Sequence, residues 1–272
     1  MARISFSQVL KNAKIDILRE YVRLFDMFYT KEHQIISLRE CCEAQFSRFP
    51  FKDTCVSLDD FDDFYGYSFE QTPANFSLDY LVDFCEYSYN LAANTHYFEC
   101  ASGLFGMEKP LLSYIQQVHR VIEKIGYMEN EHDGIIDFVP KDAVAISVAE
   151  IIDPSLSYRV IEYNHHSMKG DIDRKKAVLL ALADKLEPQR KRLNKADQNL
   201  ESDLFCLLNS MNIRHNNTEQ GSKNYKVAVA AMKGDELEQW YDEIYQMCLL
   251  SFLTLENEER KDQVKALKQK LN

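Results

Sequence analysis

From Asp235 to Leu255 the chain reads DELEQWYDEIYQMCLLSFLTL, with Leu237, Trp240, Tyr241, Ile244, Cys248, Phe252 and Leu255 spaced three and four apart. That repeat is one face of an α-helix, and Asp235 and Glu238 stand where an N-cap and its N3 partner belong. Four other stretches carry the same period. Val9, Ala13, Ile17, Tyr21, Leu24 and Phe28 make a stripe preceded by Ser5-Phe-Ser-Gln8, which has the form of a capping box. Leu112, Ile115, Val118, Ile122 and Ile125 follow Pro110. Ile172, Leu179, Leu182 and Leu186 run from a candidate N-cap, Asp171, to Pro188. Leu204, Leu207, Leu208 and Met211 are closed by the polar run Arg214-His-Asn-Asn-Thr-Glu-Gln-Gly221. Only Ile135–Val139 has the look of a strand.

Composition agrees with helices. Gly occurs 8 times and Pro 6 times in 272 residues, too few for the turns of a sandwich or barrel. Hydrophobic residues are 46% and charged residues 28%, enough apolar surface for a sizeable core. The predicted fold is all-α, a multi-helix bundle.

Charge divides the chain. Asp53–Glu108 spans 56 residues without one Lys or Arg, carries 11 acids and holds 13 of the 32 aromatic residues. Arg159–Lys226 reverses the balance, with 13 basic and 9 acidic residues. The expected boundary lies near the hydrophilic loop Glu129-Asn-Glu-His-Asp-Gly134, with an acidic-aromatic helical region at 1–130 and a helical bundle at 131–272. Formal net charge is −11, so any nucleic-acid contact must be local. Seven cysteines without a Cys-x-x-Cys pair fit reduced, mostly buried thiols. The start MARISFSQVLKNAK lacks the apolar run of a signal peptide, and no window approaches ~18 apolar residues. A cytoplasmic protein without a membrane span is the expectation.

Two polar clusters have the residue types for chemistry. In Arg214-His215-Asn216-Asn217 a guanidinium suited to a bidentate phosphate grip adjoins an imidazole that titrates near neutrality. RNA cleavage asks for little more, since the 2′-hydroxyl is the nucleophile and the protein must move a proton and stabilise charge on phosphorus. The same residues also suit a polar helix C-cap. The second cluster is Arg159-Val-Ile-Glu162-Tyr-Asn-His165-His166 with Lys169. Glu162 and His165, three apart, would share a helix face, offering a metal-ligand pair or a base that joins Arg214; a capping histidine pair is the alternative. The other Glu-x-x-His, Glu129–His132, falls in the hydrophilic loop, so no matched pair for a di-metal site is expected. Lys175-Lys176 and Arg190-Lys-Arg192 with Lys195 are either phosphate guides or a solvated helix face.

A helix ending in Arg and a polar residue, followed by a loop and another amphipathic helix, resembles the HEPN superfamily (higher eukaryotes and prokaryotes nucleotide-binding). The resemblance runs from Asp171 to about Leu255, with Arg214 matching the motif Arg and His215 its polar neighbour. It departs from the motif downstream, where Thr218, Glu219 and Gln220 fill the window of the expected His. What the resemblance implies is a helical, metal-independent ribonuclease or RNA-binding protein of a prokaryotic toxin or phage-defence system, without a cofactor and with a possible homodimer. Arg214 would then hold the phosphate, His215, His165 or His166 would move the proton, and Asn216, Asn217, Arg159 and Lys169 would contact RNA. The competing expectation is a non-enzymatic interaction module binding a partner protein through residues 53–108, with rings such as Tyr65 and Tyr67 exposed and Phe64, Tyr80, Phe84 and Tyr87 in the core.

Overall fold

The computed structural model describes residues 16–31 and 36–271; the Ser5–Gln8 box and the Val9 and Ala13 positions lie outside them. Helices dominate, and the strands described form one two-stranded antiparallel hairpin. The chain divides into two compact units, 2–140 and 141–272, ten residues beyond the turn where the charge balance placed the boundary. The reason is the hairpin: it closes the first unit's core instead of linking two units.

The first unit contains α1 (Ile17–Tyr29), α2 (Leu38–Gln45), α3 (Leu58–Tyr65), α4 (Leu78–Ser102), α5 (Glu108–Lys124), β1 (Tyr127–His132) and β2 (Ile135–Pro140). Asp16 caps α1 by accepting from the Arg19 amide, and Ile17, Tyr21, Leu24 and Phe28 are the buried stripe that the period predicts. Helix α4 is the centre. It starts at Ser77, which accepts from the Tyr80 amide, and ends at Gly103 in the left-handed region. Leu81, Phe84, Cys85, Leu91 and Ala92 are buried on one face, and Val82, Tyr87 and Tyr89 extend the burial to more than half of the helix circumference. A helix packed over so much of its surface shows no single stripe, which is why its pattern is not legible as an amphipathic face. In α5 the buried face is Leu111, Tyr114, Val118, Val121 and Ile122, while the predicted Leu112 is exposed.

The first strand, Tyr127–His132, is where a hydrophilic loop was expected. Asp133 (φ 51°) and Gly134 (φ 77°) form a two-residue turn with both central residues left-handed, the geometry that matches strand twist in a tight hairpin. Two strands alone are marginal in water. Helix α4 supplies the missing partner: Asn90 donates to the Ile136 carbonyl (2.8 Å) and accepts from its amide (2.9 Å), and Glu86 accepts from the Phe138 amide (2.6 Å). Side chains of one helix thus take the place of a third strand along β2.

The second unit contains α6 (Ala143–Ala149), α7 (Pro154–Glu162), α8 (Ile172–Leu186), α9 (Arg190–Ala196), α10 (Gln198–Ser210), α11 (Val227–Ala230) and α12 (Gly234–Leu271). Asp171 caps α8 through the Arg174 amide, as the sequence indicates. Leu179, Leu182 and Leu186 of α8 and Tyr241, Ile244, Cys248 and Leu249 of α12 share one buried core. Pro188 does not end the path but sits in a 3-10 turn, Glu187–Gln189, that leads directly into α9. At the start of α12, Glu238 does not complete a capping box. It accepts from the Gly170 amide (2.9 Å) and from Lys175 (2.7 Å).

Candidate functional site

The Arg214 cluster forms where α10 runs out. Met211 closes the helix on the Leu207 carbonyl, and Asn212 turns the chain with φ 59°. Asn is among the residues that tolerate this conformation. Asn212 and Asn217 then bind each other's backbone: the Asn212 amide donates to Asn217 Oδ1 (2.8 Å), and the Asn217 amide to Asn212 Oδ1 (3.2 Å). Asn217 also donates to the Asn224 carbonyl (2.7 Å) and accepts from the Lys226 amide (2.8 Å). Fully buried, Asn217 is the latch of the 212–226 loop.

Between the two asparagines Ile213 is buried, and the Arg214 amide donates to the Leu208 carbonyl (3.1 Å). The Arg214 guanidinium donates to Glu187 Oε2 at 2.6 Å, with 23% of its side chain exposed. A phosphate would have to displace that carboxylate. His215 and Asn216 face solvent; Asn216 Oδ1 accepts from the Glu219 amide (3.1 Å) while its Nδ2 donates to Glu219 Oε2 (2.7 Å). Of the four predicted residues, His215 and Asn216 are the two that point outward.

The second cluster is helical only in its first half, Arg159–Glu162. Helix α7 ends at Glu162, so Glu162 and His165 do not share a face. His165, 8% exposed, caps the 3-10 turn His166–Met168: its Nδ1 accepts from the Ser167 amide (3.2 Å) and lies 2.7 Å from the Ser167 hydroxyl. The His165 and His166 rings lie 4.3 Å apart, centroid to centroid. The Glu162 carboxylate is engaged by Arg174, whose positive charge opposes a metal ion there. Arg159 and Lys169 are exposed. Glu129 and His132, now on a strand, point to opposite faces and cannot chelate together.

The basic runs also separate. Lys175 is neither a phosphate guide nor part of a solvated face. Fully buried, it donates to Glu238 (2.7 Å) and Asp242 (2.6 Å) and stands 5.3 Å above the Tyr163 ring. Arg190 pairs with Glu201 and stacks on Phe205, and Arg192 pairs with Glu259 (2.8 Å).

The acidic-aromatic segment presents an open surface. Helix α3 is fixed from beneath by Leu58 and Phe61, both buried, and capped by Ser57 on the Asp60 amide (3.1 Å). Arg39 of α2 grips it through Asp59 (2.7 Å) and Asp62 (2.6 Å). Burial works against the Arg39 charge, yet the two carboxylates and Tyr87 hold it firmly protonated. Burial likewise raises the Asp62 carboxyl, against the pull of Arg39 and Tyr87. Gly66, with φ 74°, ends the helix and turns the chain towards Tyr67. With the inner face so anchored, Phe64 is 67% exposed, Tyr65 47% and Tyr67 39%, beside exposed Asp59, Asp60 and Asp63. The Phe64 and Tyr65 rings meet edge to face at 4.9 Å. Phe84 and Tyr87 are core residues and Tyr80 is half-buried, but Phe64, expected with them, is on the outside.

Sequence reasoning did not find Glu187 or Arg39, the partners that decide what Arg214 and α3 do. They stand 27 and 23 residues from Arg214 and Asp62, and no local signal pairs them.

No protein-family model matches this chain, and no curated protein or solved structure matches it either. Among the described residues no helix is long and apolar enough to cross a membrane.

Proposed function

We propose that this chain is a helical interaction protein whose α3 surface binds a lysine- or arginine-rich segment of a partner protein. The observation that carries this reading is the exposure of Phe64, Tyr65 and Tyr67 together with Asp59, Asp60 and Asp63, within a stretch of 56 residues that contains no Lys or Arg. Exposed rings clustered on an anchored helix give a partner rigid apolar area at little entropic cost, and aromatic anchors carry much of the energy of interfaces. Ring faces and carboxylates both attract guanidinium and ammonium groups, and the acids left over once Arg39 has paired with Asp59 and Asp62 give a negative field that speeds their approach.

The test is calorimetric titration with a panel of arginine- and lysine-rich peptides containing leucine. Tight binders should weaken about tenfold or more on Phe64→Ala or Tyr65→Ala. Asp59→Asn with Asp63→Asn should mainly flatten the salt dependence. A panel that binds no better than a neutral control, or binds both ring variants as well as the parent, rejects the reading.

A second reading is favoured by one observation, the exposed His215 next to Arg214. In it the HEPN-like turn binds or cleaves RNA, with Arg214 released from Glu187 by the incoming phosphate. Glu187→Gln should then raise affinity for a single-stranded RNA probe, and Arg214→Ala should abolish it. If neither change moves RNA affinity or cleavage, the turn is structural.

A further inference from the structure

Helix α12 continues 16 residues past Leu255, the last buried side chain of the second unit, and from 259 to 271 every residue is exposed. An isolated helix of that length is marginal in water, so an exposed continuation calls for a partner. Its pattern changes as it leaves the core. Leu250, Asn257, Val264 and Leu271 fall seven apart, and Leu253, Arg260 and Leu267 interleave three residues after each of the first three. These are the a and d positions of three heptads, the same spacing as the buried stripe Tyr241, Cys248 and Leu255 but on a different face of the helix. Leu250, Val264, Leu267 and Leu271 are exposed large apolar side chains on this seam.

We propose that this segment pairs with the same segment of a second copy as a parallel, two-stranded coiled coil. Val264 at a and Leu267 at d are the combination that favours two strands, and Asn257 at a lets the two copies hydrogen-bond across the axis and fixes register. Charge complementarity selects the parallel arrangement. In it Glu256 at g faces the partner's Lys261 at e, and Gln263 faces the partner's Lys268. In an antiparallel pair the e lysines would confront one another. Arg260 at d runs its aliphatic stem along the seam, and its guanidinium already meets Glu256 of its own helix at 3.3 Å. With Leu253 packed against the unit's own core and four exposed apolar positions left, the contact is reversible, not permanent.

Sedimentation velocity over a concentration series of the full chain tests this. The dimer fraction should rise with concentration, and Val264→Glu or Leu267→Glu should each weaken association about tenfold or more. Helical circular dichroism should fall by no more than the share of the 16-residue extension that loses its partner, because the two buried cores contain neither position. Val264→Cys in a Cys100→Ser, Cys206→Ser background should oxidise to a dimer linked through position 264 of both chains, as a parallel register requires. A chain that stays monomeric throughout, a dimer indifferent to both glutamates, or a 264 thiol that fails to link overturns the proposal.

Discussion

Single residues in the second unit carry stability that their position in the sequence conceals. Lys175 is a charge removed from water and repaid by Glu238, Asp242 and the Tyr163 ring. Removing it leaves two carboxylates facing each other at the edge of the core, and Lys175→Ala should cost about 3 kcal/mol in urea denaturation. A loss below about 1 kcal/mol would show that solvent already screens the pair. Asn217→Ala removes a buried side chain that bonds both ends of the 212–226 loop, and should cost about 2 kcal/mol and open that loop to protease. A residue that merely oriented RNA would leave stability untouched, so the measurement separates the two roles. Glu201 gives the acid limb. The Arg190 guanidinium and Asn194 hold its carboxyl below the ordinary 4.5, so its contribution is complete above that value and drains as pH falls through the lowered one. The gap in stability between the parent and Glu201→Gln should therefore be full at neutral pH and narrow below about 4.5.

At the scale of elements, local signals predict well where one face is buried. The Ile17–Phe28 stripe and the Asp171 cap are both present as written in the chain. They fail in two opposite cases. Helix α4 is buried over more than half of its circumference, so the periodicity is washed out. Strand β1 is polar, so it resembles a loop, although the Asp133-Gly134 pair before an apolar run was a readable turn signal. The hairpin depends on Asn90 in place of a neighbouring strand. Asn90→Leu should speed hydrogen exchange at the Ile136 amide by at least tenfold, while amides in the middle of α1 keep their protection. Unchanged exchange at Ile136 would mean that the hairpin holds itself.

For the whole molecule, the two cores are separate sets of residues, and cysteines report on each. Cys41 and Cys42 in the first core and Cys248 in the second are buried, and burial pushes all three thiols up to about 12. Cys100 and Cys206 are exposed. A thiol reagent should label those two at once in the native chain and the buried ones only on unfolding. With rising denaturant, Cys248 should become reactive at a different midpoint from Cys41 and Cys42, because neither core contains the other's residues. Coincident midpoints would make the chain a single cooperative unit.

Fold class, the Asp171 cap and most buried faces were determined by the sequence itself, because capping and the 3.6-residue period act between residues three or four apart. The fate of the polar residues was decided by tertiary structure alone. Arg214 is paired with Glu187, Asn217 is bonded to Asn224 and Lys226, and Phe64 lies outside because Leu58, Phe61 and Arg39 hold the opposite face of α3 inward. A polar group's role is set by what it bonds, and where that partner lies far away in the chain only folding brings the two together.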